Sequence, residues 1–365
     1  MALNSYERWV RPWLFRMDAE QAHETVLAAL ERAQSVPSAA AWLGARLRFD
    51  HPSLAVEVAG LSFPNPVGLA AGFDKDCRLA AVLPSLGFGF LELGTVTPRP
   101  QPGNARPRVF RIPEAEAVLN RLGFPGCGAD EAARHLRGGL ARMRPRVPVG
   151  INLGMNKDTP PERAPEDYCA AMEPFRDLAD YFTINVSSPN TSRLRDLQDK
   201  LKLERILTSL RSVNKEGRPI FVKLAPDLAA DQLRELLPML QENCSGLVVS
   251  NTTVAREGLP ERWTRESGGL SGAPLGELST RLIGECHRLT QGKLPIIGVG
   301  GILRAEDAYH KLLAGATLVQ VYTGLVYRGP GLVRRINEGL VDLLASQDLT
   351  SVAQAVGRPR REAAK

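Results

Sequence analysis

Polar residues and two glycines stand at or just past the ends of a series of short apolar runs in this sequence. In chain order they are Lys75, Thr95, Asn152, Asn185, Ser188, Asn190, Lys223, Ser250, Asn251, Thr252, Gly300, Gly301, Tyr322 and Thr323. Amides dominate, and the five histidines lie in helical or linker segments. The set therefore suits recognition of a planar, hydrogen-bonding molecule, and neither a metal site nor a histidine triad is indicated.

Two of the apolar runs end in glycine-rich strings, GVGG from Gly298 and YTG from Tyr322. Without side chains, backbone N–H groups can approach an anion closely. In a barrel of alternating strands and helices, the loops after the seventh and eighth strands often bind phosphate. For one string alone, glycines that only relieve steric crowding at a strand end would be an equally good explanation. The two strings together favour a phosphate site.

Eight β-rich runs carry these residues. They begin at Pro66, Phe88, Pro148, Tyr181, Pro219, Gly246, Pro295 and Thr317. Their nearly continuous apolar character is typical of parallel strands buried on both faces. Residues 229–242 and 304–314 show the apolar spacing of amphipathic helices. The pattern predicts an α/β fold, a (β/α)₈ TIM barrel; a doubly wound open sheet is the alternative, but it would not normally need eight units.

Two long excursions, residues 95–147 and 252–275, leave the C-terminal ends of predicted strands. Barrel enzymes build their active sites at that face. We therefore expect both excursions to cover the substrate. Lys223 interrupts an apolar run, which is costly unless its ammonium group meets a partner inside the barrel mouth.

Composition narrows the function classes. The chain has 365 residues, a formal net charge of +6 and five cysteines. The basic residues are scattered, so nucleic-acid binding does not follow, and without a CxxC pair neither a zinc site nor a disulfide framework is indicated. No apolar run approaches the roughly 20 residues of a spanning helix, and no signal peptide begins the chain. We expect a cytoplasmic protein whose membrane contact is peripheral.

The N-terminal segment has a helical apolar stripe, with Arg8, Arg11 and Arg16 available for the other side. The stripe consists of Tyr6, Trp9, Val10, Trp13 and Leu14. Residues 19–33 repeat the pattern. Two short amphipathic helices can lie in a membrane interface, or they can pack onto the barrel. Periodicity alone somewhat favours packing.

A set of strings spread along the chain is similar to the quinone-dependent dihydroorotate dehydrogenases. In order, the strings are NPVGLAAGFDKD, GTVTPRPQPGN, NRLGF, INLGMNKDTP, TINVSSPNT, VKLAPD, SNTT, GGLSG, GVGGI and VQVYTG. Each string alone is weakly diagnostic, but all ten occurring in this order leave little room for coincidence. The fragment INVSSPNT is highly specific. The resemblance runs from the N-terminal helices to about residue 345.

The resemblance implies oxidation of (S)-dihydroorotate to orotate with FMN, with electrons passed to a membrane quinone, ubiquinone or menaquinone, in de novo pyrimidine (UMP) biosynthesis. It also favours the membrane interpretation of the N-terminal helices, because the quinone-dependent enzymes have such an extension. The expected organisation is a two-helix amphipathic extension for membrane and quinone access (1–50), an FMN-binding barrel (51–347) and a disordered tail (348–365). We expect a monomer bound peripherally at the cytoplasmic side of the cell membrane.

Site residues follow from the same resemblance. The implied FMN-binding residues are Ala71, Gly72, Phe73, Asp74, Lys75, Thr95, Asn152, Asn185, Lys223, Ser250, Gly272, Gly301, Tyr322 and Thr323. The implied dihydroorotate-binding residues are Lys75, Asn120, Arg121, Leu122, Gly123, Phe124, Asn185, Asn190, Asn251 and Thr252. Fixed lysine charge would stabilise the negative charge that hydride transfer moves onto the flavin, and asparagines match the donors and acceptors of a pyrimidine.

A lone SSPN string would favour a turn cap before Pro189, but the surrounding motifs make Ser188 the general base that the resemblance implies. The soluble branch of the family has a cysteine at the base position, so the serine itself favours the quinone-dependent branch. An unperturbed serine hydroxyl is a poor base and needs activation. The chain departs from the family pattern at Ser250, where threonine is usual, at Cys77, where glycine is usual, and at Pro125–Gly126, where asparagines are usual.

Three alternatives remain open from the sequence. One is an FMN barrel acting on RNA uridines, although no RNA-binding appendage follows the barrel. Another is a membrane-interaction module with a decayed barrel, although polar residues are intact at all the strand ends. The nearest is a soluble dehydrogenase linked to fumarate or NAD.

Overall fold

The computed structural model describes residues 5–191 and 193–359. The strands in this part of the chain are β1 (Val56–Val58), β2 (Leu61–Phe63), β3 (Val67–Leu69), β4 (Phe90–Val96), β5 (Val109–Ile112), β6 (Ala117–Asn120), β7 (Val149–Leu153), β8 (Tyr181–Asn185), β9 (Ile220–Leu224), β10 (Gly246–Val249), β11 (Gly269–Gly272), β12 (Ile296–Val299) and β13 (Leu318–Val321).

Eight of these strands close into a barrel in the order β10-β12-β13-β3-β4-β7-β8-β9. All the pairings inside it are parallel, and β9 pairs with β10 to close the ring. Each strand begins within one of the eight predicted runs, and β4 continues to Val96, two residues into the first predicted excursion. The TIM barrel prediction is confirmed. Every residue of β7, β8 and β9 is buried, which explains why these runs are apolar without alternation.

Helices surround the barrel and precede it. In the described residues they are α1 (Arg11–Leu14), α2 (Ala19–Gln34), α3 (Pro37–Leu47), α4 (Ala129–Arg142), α5 (Ala164–Met172), α6 (Lys200–Val213), α7 (Ala230–Asn243), α8 (Glu261–Thr264), α9 (Gly276–Leu289), α10 (Ala305–Leu313), α11 (Thr323–Arg328) and α12 (Leu332–Ala345). The two helices predicted from apolar spacing correspond to α7 and α10. Each begins one residue later than predicted.

The two long excursions form a single structure. β5 and β6 belong to the first excursion and β11 to the second, and together they make an antiparallel sheet in the order β11-β6-β5. Gly269 lies opposite Asn120 in this sheet. A separate small core of Ile112, Ala117, Leu119 and Leu270 holds it together. The excursions are therefore coupled, so movement of one must affect the other.

The N-terminal extension contains one helix more than predicted. A π-helical turn (Tyr6–Val10) and α1 come first, Asp18 then caps α2 by accepting the N–H of Glu20 at 2.9 Å, and α3 follows. α3, which was not predicted, begins at a proline and buries Ala40 and Leu47.

The predicted apolar stripe of the first segment is divided between two environments. Leu14 is buried, while Trp9 and Trp13 are 68% and 55% exposed. Arg108 on the first excursion pairs with Glu20 of α2 at 2.7 Å, which attaches the extension to the barrel side. Packing onto the barrel therefore holds for Leu14, while Trp9 and Trp13 remain exposed. No helix in the described residues is long and apolar enough to span a membrane.

The tail prediction is wrong for residues 348–359. Leu349, Val352 and Ala355 are buried, and Gly357 donates its N–H to the carbonyl oxygen of Leu312 at 3.0 Å. Three apolar side chains at three-residue spacing dock this segment onto the barrel helices. Residues 360–365 of the predicted tail lie outside the described residues.

Candidate active site

One cavity of about 600 Å³ is lined both by the strand ends of the barrel and by the N-terminal helices. Most of the predicted site residues face it. They are Ala71, Gly72, Phe73, Lys75, Thr95, Asn120, Leu122, Gly123, Phe124, Asn185, Ser188, Asn190, Lys223, Ser250, Asn251, Thr252, Gly272, Gly301, Tyr322 and Thr323. Residues from distant parts of the sequence therefore meet in one place, as the barrel topology requires.

Three predicted site residues do not line the cavity. Arg121 pairs with Glu266 at 2.8 Å, which ties the two excursions together. Asp74 is fully buried and accepts the N–H groups of Arg78 and Leu79 at 3.0 and 2.8 Å. These contacts give Arg121 and Asp74 structural roles. Asn152, the third, lies behind the cavity wall.

Side-chain hydrogen bonds among amides connect three strands and the loop after β10 at the wall of the cavity. Thr95 donates its hydroxyl to Oδ1 of Asn152 at 2.6 Å, and Asn185 donates Nδ2 to the same oxygen at 3.1 Å. Asn251 in turn donates Nδ2 to Oδ1 of Asn185 at 3.1 Å and to Oγ of Ser187 at 3.0 Å. Because buried amides need partners, this chain of hydrogen bonds holds each amide in one orientation.

Glu92 is a functional candidate that the sequence analysis missed. It lies in the middle of β4 with 0% exposure. Its carboxylate accepts Nδ2 of Asn152 at 2.7 Å, Nε2 of Gln320 at 2.8 Å and Oγ1 of Thr183 at 3.1 Å, and Nζ of Lys223 lies 3.5 Å away. The available signal was a charged residue inside an apolar run, the same signal that singled out Lys223. Lys223 therefore has the buried partner that its position required.

The glycine-rich strand ends have the shape of an anion cradle. Gly272, Gly300 and Gly301 have φ values of 98°, 116° and 69°, which side-chain-bearing residues rarely adopt. A Cβ atom at Gly301 would collide with the backbone of Gly276, where α9 begins. These glycines therefore allow close packing of the strand ends against neighbouring segments, and all three line the cavity, so its wall there lacks side chains.

Gln320 supplies an unpaired acceptor. Its Nε2 is held by Glu92, while its buried Oε1 has no hydrogen-bond partner in the described part of the chain. Gln320 lines the cavity. A buried orphan acceptor is costly, so a donor group on a bound molecule would satisfy it.

Ser188 lines the cavity and is 6% exposed. Its Oγ accepts the backbone N–H of Asn190 at 3.2 Å, so the residue also caps the turn at Pro189. Asn190 then donates Nδ2 to Oδ1 of Asn120 at 3.0 Å. The turn at Pro189 and the end of β6 in the first excursion are thus in direct contact.

A second missed residue, Arg195, fixes the loop that carries Ser188. It donates Nε to the carbonyl oxygen of Ser187 and Nη2 to that of Thr252, each at 3.0 Å. Its Nη1 pairs with Asp227 at 2.8 Å. One guanidinium therefore connects the loops after β8, β9 and β10.

The cavity becomes aromatic and basic where the N-terminal helices reach it. His23 of α2 packs edge-on against Phe73, with ring centroids 5.3 Å apart. Burial, with a contribution from the Lys75 charge, lowers the pKa of His23 to about 3, so its imidazole is neutral. Arg111 of β5 donates to the carbonyl oxygens of Leu14 and Met17.

Comparison with known proteins agrees with the resemblance read from the motifs. The family model described as dihydroorotate dehydrogenase matches residues 53–344. A protein named dihydroorotate dehydrogenase (quinone) from Acidithiobacillus ferrooxidans is 50% identical, and the match covers 95% of this chain and 98% of that protein. One of the same name from Roseiflexus castenholzii is 47% identical, with 95% of each chain covered.

Solved structures show the same relationship. The crystal structure of DHODH in complex with ferulenol from Eimeria tenella has a TM-score of 0.85 and 36% identity, covering 93% of this chain and 95% of that one. The ligand-free DHODH structure from Eimeria tenella has a TM-score of 0.81, again at 36% identity, covering 90% of this chain and 99% of that one. From its sequence, its barrel and the residues that meet in its cavity, this chain belongs to the dihydroorotate dehydrogenase family.

Proposed function

We propose that the chain oxidises dihydroorotate to orotate with FMN and passes the electrons to a membrane quinone, as a step of pyrimidine synthesis. The observation that carries this proposal is one continuous cavity whose walls include the strand-end amides, the glycine cradle and the N-terminal helices. The relatives from Acidithiobacillus ferrooxidans and Roseiflexus castenholzii are named as quinone enzymes, which supports a quinone as acceptor. As a member of this family, the chain is an oxidoreductase.

The residues present fit FMN. Gly272, Gly301 and the backbone at Thr323 suit its phosphate, and the orphan Oε1 of Gln320 suits an N–H group of its ring. Lys223 brings a positive charge to the cavity. When bound there, FMN supplies the acceptor for the substrate hydride and exchanges electrons with the quinone.

Dihydroorotate is an anion whose ring carries alternating donors and acceptors. Asn120, Asn190 and Asn251 present amides to the cavity, and their hydrogen bonds to one another and to Asn185 keep them oriented. Lys75, which is partly buried, supplies the charge for the carboxylate. Rigid amides recognise the substrate ring with little loss of conformational entropy.

We assign the role of general base to Ser188. It removes a proton from the substrate carbon next to the one that loses hydride. As it does so, the hydroxyl proton of Ser188 passes to a solvent water, and the N–H of Asn190, aimed at Oγ of Ser188, stabilises the partial negative charge on that oxygen while its own proton leaves. This contact lowers the cost of using a hydroxyl as a base.

The extension supports quinone access and peripheral attachment at the cytoplasmic face of a membrane. Trp9, Trp13 and Trp42 are 68%, 55% and 57% exposed, and Arg8 and Arg46 lie over two of these rings. Exposed tryptophans next to arginines suit a lipid interface. Residues 1–50 would then be the membrane and quinone unit, and 51–347 the catalytic unit. All residues of the proposed site come from one chain, so a monomer suffices.

The test of this function is acceptor specificity in steady state. Purified protein with FMN should oxidise dihydroorotate with a short-chain quinone analogue and show no turnover with fumarate or NAD as sole acceptor. Turnover with fumarate or NAD, and none with the quinone, would assign the chain to the soluble type instead.

A further inference from the structure

Glu92 occupies the interior of the barrel, where a charge is costly unless donors surround it. Asn152, Thr183 and Gln320 direct donors at its two oxygens, and Lys223 lies 3.5 Å from Oε1. These partners come from β7, β8, β13 and β9, so the carboxylate joins five of the eight barrel strands, its own included. All four partners direct donor groups at Glu92, so its two oxygens act as acceptors.

An acceptor of this kind determines how the neighbouring amide must point. Asn152 has to turn Nδ2 towards Glu92, which leaves its Oδ1 for Thr95 and for Nδ2 of Asn185. Asn185 therefore turns its own Oδ1 towards Ser187 and Nδ2 of Asn251. The orientation of each amide follows from the one before it.

This chain of hydrogen bonds continues into the candidate substrate site. Asn251 turns its Oδ1 to its neighbour, the backbone N–H of Thr252, at 2.8 Å. Asn185, Asn251 and Thr252 all line the cavity, whereas Glu92 does not. A single buried charge thus dictates which edge of each distant amide is a donor and which is an acceptor.

Lys223 depends on the same carboxylate. Its Nζ lies within reach of Glu92 and also lines the cavity. At 3.5 Å the contact is long for a charge-assisted hydrogen bond, so the ammonium group keeps donors for a bound molecule. Glu92 therefore balances the positive charge presented to that molecule.

We propose that Glu92 is a positioning residue that sets the donor–acceptor polarity of the Asn152–Asn185–Asn251 chain and balances the charge of Lys223, so that it governs both orotate recognition and the flavin potential. The inference rests on the proposed function, because it assumes that orotate and FMN are the molecules that these amides and Lys223 bind. It goes further by assigning specificity to a residue that does not line the cavity.

The test is Glu92→Gln in the FMN-loaded protein. Glutamine has the same shape but can also donate, so Asn152 loses its imposed orientation. We expect orotate, titrated by its perturbation of the flavin spectrum, to bind at least about ten-fold more weakly. Loss of the negative charge beside Lys223 should favour the reduced flavin by about ten-fold or more, a rise of roughly 30 mV in the two-electron potential.

Two further variants separate the effect of Glu92 on amide orientation from the effect of its charge. Glu57→Gln removes the same charge at an exposed position of β1 and should change neither quantity. Glu92→Asp keeps the charge but shortens the reach to Asn152, so it should weaken orotate binding with a smaller change in potential. Equal orotate affinity and potential in wild type and Glu92→Gln would overturn the proposal.

Folding failure of Glu92→Gln would not leave the proposal undecided. The double variant Glu92→Gln/Lys223→Gln has no unpaired buried charge, so comparison with Lys223→Gln alone measures the effect of Glu92 directly. We expect weaker orotate binding in the double variant, and equal binding would contradict the proposal. If the wild-type protein itself binds no orotate, the proposed function fails, while the effect of Glu92 on the potential is still measurable.

Discussion

Arg195 and Asp227 form an ion pair 2.8 Å long beside the cavity, and the other nitrogens of Arg195 hold the carbonyl oxygens of Ser187 and Thr252. Asp227 also accepts the hydroxyl of Thr253. The pair therefore fixes the distance between the loop that carries Ser188 and the loop that carries Asn251.

We expect Arg195→Ala to slow flavin reduction by dihydroorotate by up to about 100-fold, because a displacement of about 1 Å of a reacting group has that cost. Single-turnover mixing without oxygen measures this rate. The matched control is Arg193→Ala, since Arg193 lies on the same loop, is exposed and pairs only loosely with Asp196 at 3.6 Å. Equal rates in the two variants would show that Arg195 does not position the loop.

Ser188→Ala should lower the same rate by about 100-fold or more, as expected for loss of a general base, while orotate affinity stays within a few-fold of wild type. Ser188→Cys should restore part of the rate and move its pH dependence, because a thiol loses its proton more easily than a hydroxyl. A Ser188→Ala protein that reduces its flavin as fast as wild type at neutral pH would remove Ser188 from the mechanism.

We predict that the affinity for orotate depends on pH through Lys75. Burial lowers its pKa below the usual 10.5, against the opposing effect of Glu24, Glu20 and Asp76. The charged form binds an anionic substrate, and binding raises the pKa, so orotate affinity should be full below the pKa of the free protein and decrease as pH rises through it. Lys75→Met should bind orotate roughly ten- to 100-fold more weakly at neutral pH and lose this decrease. A wild-type affinity that stays constant up to pH 10.5 would contradict the assignment.

We predict that the exposed tryptophans of the N-terminal extension contribute to membrane binding. Trp9→Ala combined with Trp13→Ala should reduce binding to anionic vesicles by about ten-fold or more, because each ring loses apolar burial in the interface. Turnover with a water-soluble quinone should not change. Leu201→Ala on α6, where Leu201 is 66% exposed, is the control for loss of an exposed apolar side chain. Unchanged vesicle binding in the tryptophan variant would refute this attachment.

Barrel topology was predictable because each buried parallel strand appears in the sequence as an apolar run that ends in polar residues. The same reasoning located Lys223 and Asn185, whose side chains do meet in the cavity. Glu92 gave the same signal as Lys223, but it lies inside β4 and not at a strand end, and the sequence does not identify its partners on other strands. Those partners are known only once the barrel is closed.

Short segments were the other source of error. α3 contains a glycine, and the only helix in the 348–359 segment is a four-residue 3-10 helix, so neither has much helical stability on its own. Leu47 and Val352 become buried only because the barrel provides a surface for them. Such docking contacts have a weak sequence signal compared with an amphipathic helix such as α7.

The central claim is that one cavity carries electrons from dihydroorotate to a quinone. Its most direct test is sequential mixing without oxygen, in which the FMN-loaded protein meets dihydroorotate first and a quinone analogue second. We predict bleaching of the oxidised-flavin absorbance in the first step and its recovery in the second. Absence of bleaching would contradict the substrate, and bleaching without recovery would contradict the quinone.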